Sequence, residues 1–427
     1  MAVDHKRSDE LMGVVAVSAR KERLPSEVWV LVAANFVIAA GFGLVAPALS
    51  TFARSFDVSV TAASVVVSAF AVARLVFAPA SGRLVSMLGE RRVYLTGITI
   101  VAVSTGVCAF AANYWQLLLF RSLGGIGSTM FTVSAIALLI RLTPAPLRGR
   151  ASGLWGTGFL TGSVAGPLLG GGLLTFSLRA PFIVYALLLL VAVLIVWWFL
   201  RHSTLAAKVA EEETSPFRVR EALRSRAYVA ALGSSFANGW AVFGVRVSLV
   251  PLFVEEVLHR DGAFAGTALA VFAVGNVLML LVSGRMADSW GRKPTVLLGL
   301  VVAAGGTVWV GFTTDVPTFL IATVVAGLGA GLLSPPLTAT VADVIGSRGR
   351  GGPVLATFQM TADIGAVLGP IVAGLLADGV SYTAAFAVTG GLCALAAFAW
   401  LPAQETLPRK VTPQDDVVPV DEAATRP

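Results

Sequence analysis

The stretch 153-GLWGTGFLTGSVAGPLLGG-171 carries no charge, spaces its small residues at helix-turn intervals and holds a Gly166-Pro167 pair. In a soluble helix each interior Gly costs about 1 kcal/mol and a Pro about 3 kcal/mol. In a bilayer the same residues let helices approach closely, and neighbouring helices re-satisfy the backbone group that Pro frees. The stretch therefore predicts a bent, closely packed transmembrane helix.

The surrounding chain fits that reading. Of 427 residues, 56% are apolar and only 13% charged, against roughly 25% charged in soluble domains. Twelve apolar spans are expected at 28–50, 60–82, 93–112, 114–140, 152–176, 180–200, 228–252, 263–285, 294–313, 316–342, 353–376 and 380–401. Each is long enough for the ~30 Å hydrocarbon core. The fold class is an all-α polytopic membrane protein. The first span follows a polar segment and is too long for a signal-peptide core, so no cleavage is expected.

Opposite-side loops hold only Arg54, Arg179 and Arg260, while Arg74, Arg121 and Arg246 fall inside spans. The remaining Lys and Arg lie on the tails and on the loops after even-numbered spans, which places both termini in the cytoplasm. The expected organisation is an N-terminal tail (1–25), a six-helix bundle (26–200), a cytoplasmic linker (201–226), a second bundle (227–401) and a disordered tail (402–427). Within the linker, RVREALRSR reads as one amphipathic helix.

Several function classes drop out. The net charge of +7 is spread over short loops instead of one face, which argues against nucleic acid. Cys108 and Cys393 sit in apolar runs, so no disulfide framework is indicated. His5, His202 and His259 lie outside the spans, and no metal or nucleophile spacing occurs. Gly124-Gly125-Ile-Gly127 and Gly327-Leu-Gly329-Ala-Gly331 lie mid-span with no preceding strand, so they read as helix packing and not as nucleotide loops. No enzyme and no cofactor are expected.

A shift of about 202 residues superposes the two halves. Ala34-Asn35 falls on Ala237-Asn238, Phe70-Ala71-Val72 on Phe272-Ala273-Val274, and Gly82-Arg83 with Gly89 on Gly284-Arg285 with Gly291. Arg148-Gly149-Arg150 is echoed by Arg348-Gly349-Arg350 and Gly166-Pro167 by Gly369-Pro370, while Leu160 meets Asp363. Six helices plus six, related by an axis along the membrane normal, is the expected architecture.

With these residues in place the sequence resembles the major facilitator superfamily over 26–401. Gly284-Arg-Met-Ala-Asp288-Ser-Trp-Gly291-Arg292-Lys293 is similar to that superfamily's loop signature. Gly153, Gly162, Gly166, Pro167, Gly170 and Gly171 fill the helix-five signature of proton-coupled drug antiporters, and Arg121 with Gly125 and Gly127 resembles the helix-four signature of proton-linked members. The resemblance is to the twelve-span drug:proton antiporter family of bacterial cytoplasmic membranes. It implies alternating access driven by the proton gradient, a small-molecule substrate, a lipid setting and a protein that works as a monomer.

Asp363 is the only carboxylate well inside a span, roughly 15 Å from its helix end, and Arg74 lies roughly 12 Å from the same side. In the fold that the sequence resembles, their helices are neighbours, so an Asp363–Arg74 pair could form in one state and break in another. Burial favours a carboxylate's proton and a nearby Arg disfavours it, which is what a coupling site needs; a static ion pair is the alternative. The resemblance assigns Arg121 to the proton relay. Three intramembrane arginines against one Asp suit neutral, zwitterionic or anionic substrates better than dications.

Asn35 and Asn238, flanked by Phe36, Phe42, Trp240 and Phe243, would line a central cavity, and Arg246 is a further substrate candidate. Interhelical hydrogen bonding, packing and snorkelling are the alternatives. By repeat offset, Asp288, Arg292 and Asp343 correspond to Ser86, Glu90 and Arg141. The second half can thus form an Asp288–Arg292–Asp343 cluster, and the first a reversed Glu90–Arg141 pair. The resemblance makes these latches; ordinary loop charge is the other reading.

The functional expectation is a proton-coupled efflux antiporter for small amphipathic compounds. A metabolite exporter and a non-transporting membrane sensor are the alternatives.

Overall fold

The computed structural model of the chain describes residues 24–143, 147–201, 219–345 and 352–407. The described residues form twelve long helical runs. The first bundle comprises α1 Ser26–Arg54, α2 Val60–Leu88, α3 Glu90–Cys108, α4 Tyr114–Leu142, α5 Arg148–Leu174 and α6 Ala180–Leu200. The second comprises α7 Arg226–Glu256, α8 Gly262–Ser289, α9 Arg292–Phe312, α10 Val316–Ile345, α11 Gly352–Gly379 and α12 Tyr382–Trp400. All but α3 are long and apolar enough to cross a membrane on composition alone; α3 opens on Glu90-Arg91-Arg92, which dilutes its apolar stretch. The twelve-helix fold expected from the sequence is the one observed.

Chemistry at the helix starts fixes where each run begins. Ser59, Asn113, Asp261, Asp315 and Ser381 cap α2, α4, α8, α10 and α12, each accepting a backbone N–H from three residues on. Their ends of the molecule are called the far end here, and the end where α1 begins and α12 finishes the tail end. At the tail end α3 and α9 begin at Gly89 (φ 82°) and Gly291 (φ 119°), backbone positions that favour glycine. These are repeat partners, so the two copies of the loop signature turn in the same way.

Helix packing follows the glycines. A Cβ on Gly162, Gly166 or Gly170 would meet α1 backbone at 2.6, 2.2 and 2.1 Å, so α5 lies against α1 as closely as backbones allow. Gly365 and Gly369 do the same for α11 against α7, where a Cβ would meet Phe236 O at 2.2 Å and Trp240 O at 2.8 Å. The internal repeat thus reappears as two equivalent helix pairs.

The two bundles are joined at one end. Gly171 of α5 abuts Ala263 and Gly266 of α8, and Gly374 of α11 abuts Thr61 and Ser64 of α2, all in the far half. In the tail half Gly82, Gly153, Gly156 and Gly284 face open space. The apolar core agrees. One cluster runs through the first bundle and crosses into the far half of the second, including Phe253, Ala373 and Phe386. The tail half of the second bundle has a core of its own, built on Tyr228, Leu300, Val354 and Trp400.

Two helices depart from regular form in ways that apolar periodicity does not reveal. Gly239–Val245 of α7 is π-helical, and α10 is interrupted after Gly331, before Ser334-Pro335-Pro336. Of the RVREALRSR segment, Val219–Ala222 forms a single helical turn. The basic repeat Arg348-Gly349-Arg350, the acidic run at 211–213 and the tail from 408 onward lie outside the described residues.

Candidate functional site

A cavity of about 330 Å³ lies between the bundles. Its polar lining is Asn35 of α1, Arg74 of α2, Arg121, Ser128 and Thr132 of α4, Tyr185 of α6, and Gln359 and Asp363 of α11. Aromatic walls come from Phe42, Phe70, Phe131, Trp155, Phe159 and Phe243. Polar groups from both halves therefore converge in a mostly apolar chamber, the usual make-up of a small-molecule site.

Arg74 and Asp363 face each other across the boundary between the halves. Arg74 Nε lies 3.8 Å from Asp363 Oδ1, within ion-pair range but beyond a hydrogen bond. Arg74 Nη1 donates to Ser128 Oγ at 2.9 Å, which ties the guanidinium to its own bundle. Asp363 therefore keeps acceptor capacity toward the cavity.

Arg121 is 6% exposed and stacks on the Phe70 ring at 4.2 Å, and its Nε is buried without a hydrogen-bond partner. Asn35 Nδ2 donates to the Trp155 carbonyl at 2.9 Å, an α1–α5 bond that holds the cavity wall.

The remaining substrate candidates divide. Phe243 lines the cavity. Trp240 does not; its indole N–H donates to Thr389 Oγ1 of α12 at 3.2 Å, and the ring lines a separate apolar groove on that side. Asn238 is half-buried and absent from the lining. The π-helical segment begins only after Asn238. Upstream of it Ser235 Oγ donates to the Phe358 carbonyl at 2.9 Å, as Asn35 donates to that of Trp155, so Ser235 and not Asn238 holds the place of Asn35 in the second half. Arg246 also lies off the cavity: it is 5% exposed and stacks on Phe272 at 3.7 Å, with Nη1 unpartnered. It does not reach for the headgroups. Phe70 and Phe272 are repeat partners, so each half carries one buried guanidinium on the same ring, supplied by α4 in one copy and α7 in the other.

Both charge clusters at the tail end are assembled, each within one bundle. Arg292 reaches Asp288 Oδ1 at 2.5 Å and Asp343 Oδ2 at 3.3 Å. Arg141 pairs with Glu90 in the first bundle, the two side chains 16% and 18% exposed.

The residues just past α12 dock beside the second cluster. Glu405 accepts from the backbone N–H of Arg292 and of Lys293, Thr406 Oγ1 donates to Asp343 Oδ2, and Lys293 Nζ donates to the Leu401 and Ala403 carbonyls. Burial works against the charge on Glu405, but four backbone N–H donors outweigh it and hold the carboxyl below its ordinary range.

At the far end a polar network bridges the halves. Arg54 of α1 donates to Glu256 Oε1 of α7 at 3.1 Å, and Tyr382 O–H donates to Glu256 Oε2 at 2.7 Å. Asp378 of α11 accepts from Val60 N at 3.0 Å, Thr61 N at 2.7 Å and Thr61 Oγ1 at 2.5 Å, capping α2 from the opposite bundle. Sequence reasoning did not single out these residues. One signal was available: Arg54 and Glu256 are 202 positions apart, so opposite charges occupy equivalent places in the repeat.

This architecture has known counterparts. The family model described as Major Facilitator Superfamily matches residues 31–259 and 231–426. The chain belongs to the major facilitator superfamily. Within the superfamily it is 25% identical to the class B tetracycline resistance protein of Escherichia coli, over 78% of this chain and 84% of that protein. It is 27% identical to multidrug resistance protein 1 of Bacillus subtilis (strain 168), over 80% and 87%.

Among solved structures, a bacterial homologue of the human lysosomal transporter Spinster, inward-facing and unoccupied, superposes with a TM-score of 0.74 at 17% identity, covering 89% of this chain and 97% of that one. That likeness concerns the fold. The chain is thus a multi-span membrane transporter of the superfamily, acting on small molecules.

Proposed function

We propose that the protein is a proton-coupled antiporter that exports small amphipathic compounds across a bacterial cytoplasmic membrane. Both termini are cytoplasmic by the distribution of Lys and Arg, so the open tail end faces inward. The reading agrees with the resistance proteins among its relatives. It needs no cofactor beyond the proton gradient, and it works as a monomer in lipid.

One observation carries the proposal: the sole carboxylate among the described residues that line the cavity lies 3.8 Å from a guanidinium in the other bundle. Alternating access moves one bundle against the other around a central site. When the bundles rock, α2 and α11 separate at this level, and a carboxylate left alone in an apolar chamber takes a proton. When they return, the guanidinium favours the charged form and the proton leaves. Asp363 thus exchanges a proton once per cycle, with Arg74 as its partner and Arg121 holding positive potential in the same chamber. The Asp288–Arg292–Asp343 and Glu90–Arg141 clusters brace the loops that close the tail end in the opposite state.

A susceptibility panel in a pump-deficient host identifies a compound that the wild type exports. That compound is then followed in proteoliposomes carrying wild type or Asp363→Asn. The expected result is loss of gradient-driven transport in the variant with substrate exchange retained. Full gradient-driven transport by Asp363→Asn would refute the coupling role.

A further inference from the structure

The charges of the cavity do not balance, and the imbalance has a chemical meaning. Asp363 and Arg74 offset one another at 3.8 Å. Arg121 opens on the same cavity with no carboxylate beside it among the described residues; its face is against the Phe70 ring and its buried Nε has no hydrogen-bond partner there. Removing a guanidinium from water without an anion is costly. The cost is offset when a ligand brings an anionic oxygen, and the planar fork of Arg is shaped for a carboxylate. Asp363, with only a long contact to Arg74, retains oxygens that can accept from a ligand ammonium.

A ligand with one charge satisfies only half of this arrangement. A lipophilic cation would meet Asp363 but leave Arg121 unpaired and add to the positive charge. A monoanion would meet Arg121 and face Asp363 as a like charge. We infer that the cavity selects amphipathic zwitterions, with a carboxylate at Arg121, an ammonium at Asp363 and an aromatic body among Phe131, Trp155 and Phe243. The inference rests on the proposed reading of this cavity as the transport site. It also has the coupling sign that antiport requires: an ammonium on Asp363 occupies the oxygens that a proton would take, so ligand and proton exclude one another. A monoanion would bind together with the proton instead.

Three probes of one shape test this by calorimetric titration of the full-length protein in detergent at neutral pH. These are 2-naphthylalanine (zwitterion), 2-(2-naphthyl)ethylamine (cation) and 3-(2-naphthyl)propionate (anion). The zwitterion should bind about ten-fold or more tightly than either analogue, as one charge-assisted pair commands. Arg121→Gln should erase the margin over the amine while keeping that over the propionate, Arg121→Lys should retain part of it, and Asp363→Asn should do the reverse of Arg121→Gln. The wild-type ranking decides the matter even if a variant fails to fold. An amine that binds as well as the amino acid overturns the inference, and so does absence of binding by all three probes. If the zwitterion ranks first but no gradient-driven export occurs, the efflux reading fails and this one stands. If export occurs and the amine ranks first, only this one fails.

Discussion

Gly166 and Gly153 belong to the same helix signature, yet the structure gives them opposite sensitivities. A Cβ on Gly166 would lie 2.2 Å from the Ala40 carbonyl oxygen and 2.9 Å from Gly43 Cα. Both are backbone atoms, so no side chain can turn aside and α1 itself must retreat by on the order of 1 Å to restore contact distance. Overpacking of this kind costs about 1–3 kcal/mol. It also disturbs the cavity, because α1 carries Asn35, whose bond to the Trp155 carbonyl joins the same two helices.

A Cβ on Gly153 meets nothing within 4 Å, so Gly153→Ala should gain up to about 1 kcal/mol of helix propensity. Thermal unfolding of the two alanine variants in one detergent checks this. Gly166→Ala should melt below the wild type and Gly153→Ala at or above it. Equal shifts, or an unshifted Gly166→Ala, would refute the packing argument. Gly153→Leu should keep wild-type stability yet lose transport, because the open tail half must close in the other half of the cycle.

Three further outcomes follow from the charges. Glu90→Arg leaves Arg141 facing a like charge in a pair whose side chains are only 16% and 18% exposed. It should cost about 1–3 kcal/mol, less than the 3–5 kcal/mol of a fully buried pair, and Glu90→Arg/Arg141→Glu should recover transport; no recovery would sink the pairing. Asp378→Asn removes a charged cap from α2, worth about 0.5–2 kcal/mol, and should favour opening of the far end. Faster labelling of a Ser64→Cys thiol by an impermeant maleimide reports it, and unchanged labelling counts against it. Glu405 has its folded carboxyl below the ordinary range, so its contribution is full above that range and is lost as pH falls through the folded value. The protection of the Arg292 and Leu407 amides against hydrogen exchange, taken relative to the intrinsic rate at each pH, should fall on acidification, and Glu405→Gln should show the lowered protection already at neutral pH.

How far the sequence could be read depended on which physical constraint each feature obeys. Spans, repeat and glycine pairs were legible because bilayer thickness and backbone approach leave direct marks in composition and spacing. The Arg74–Asp363 approach was legible because intramembrane charge is scarce enough that candidate partners are few. Asn238, with Trp240 beside it, was placed by carrying the repeat offset from α1 onto α7, but Ser235 holds the place of Asn35, bonding the Phe358 carbonyl as Asn35 bonds that of Trp155. Arg246 was singled out as a charge inside a span, and burial against Phe272 takes it off the cavity. The far-end network of Arg54, Glu256, Asp378 and Tyr382 escaped notice because charge at a helix end has an ordinary interfacial explanation. Only tertiary placement shows that these groups bridge two bundles.

Proton release on substrate addition tests the coupling most directly. Purified wild type and Asp363→Asn are placed in weakly buffered detergent solution near neutral pH, a compound exported by the wild type is added, and a pH dye is followed. The expected result is a release of protons by the wild type, saturating with substrate binding, and none by Asp363→Asn. Substrate binding without release by the wild type, or equal release by both proteins, would contradict a coupling role for Asp363.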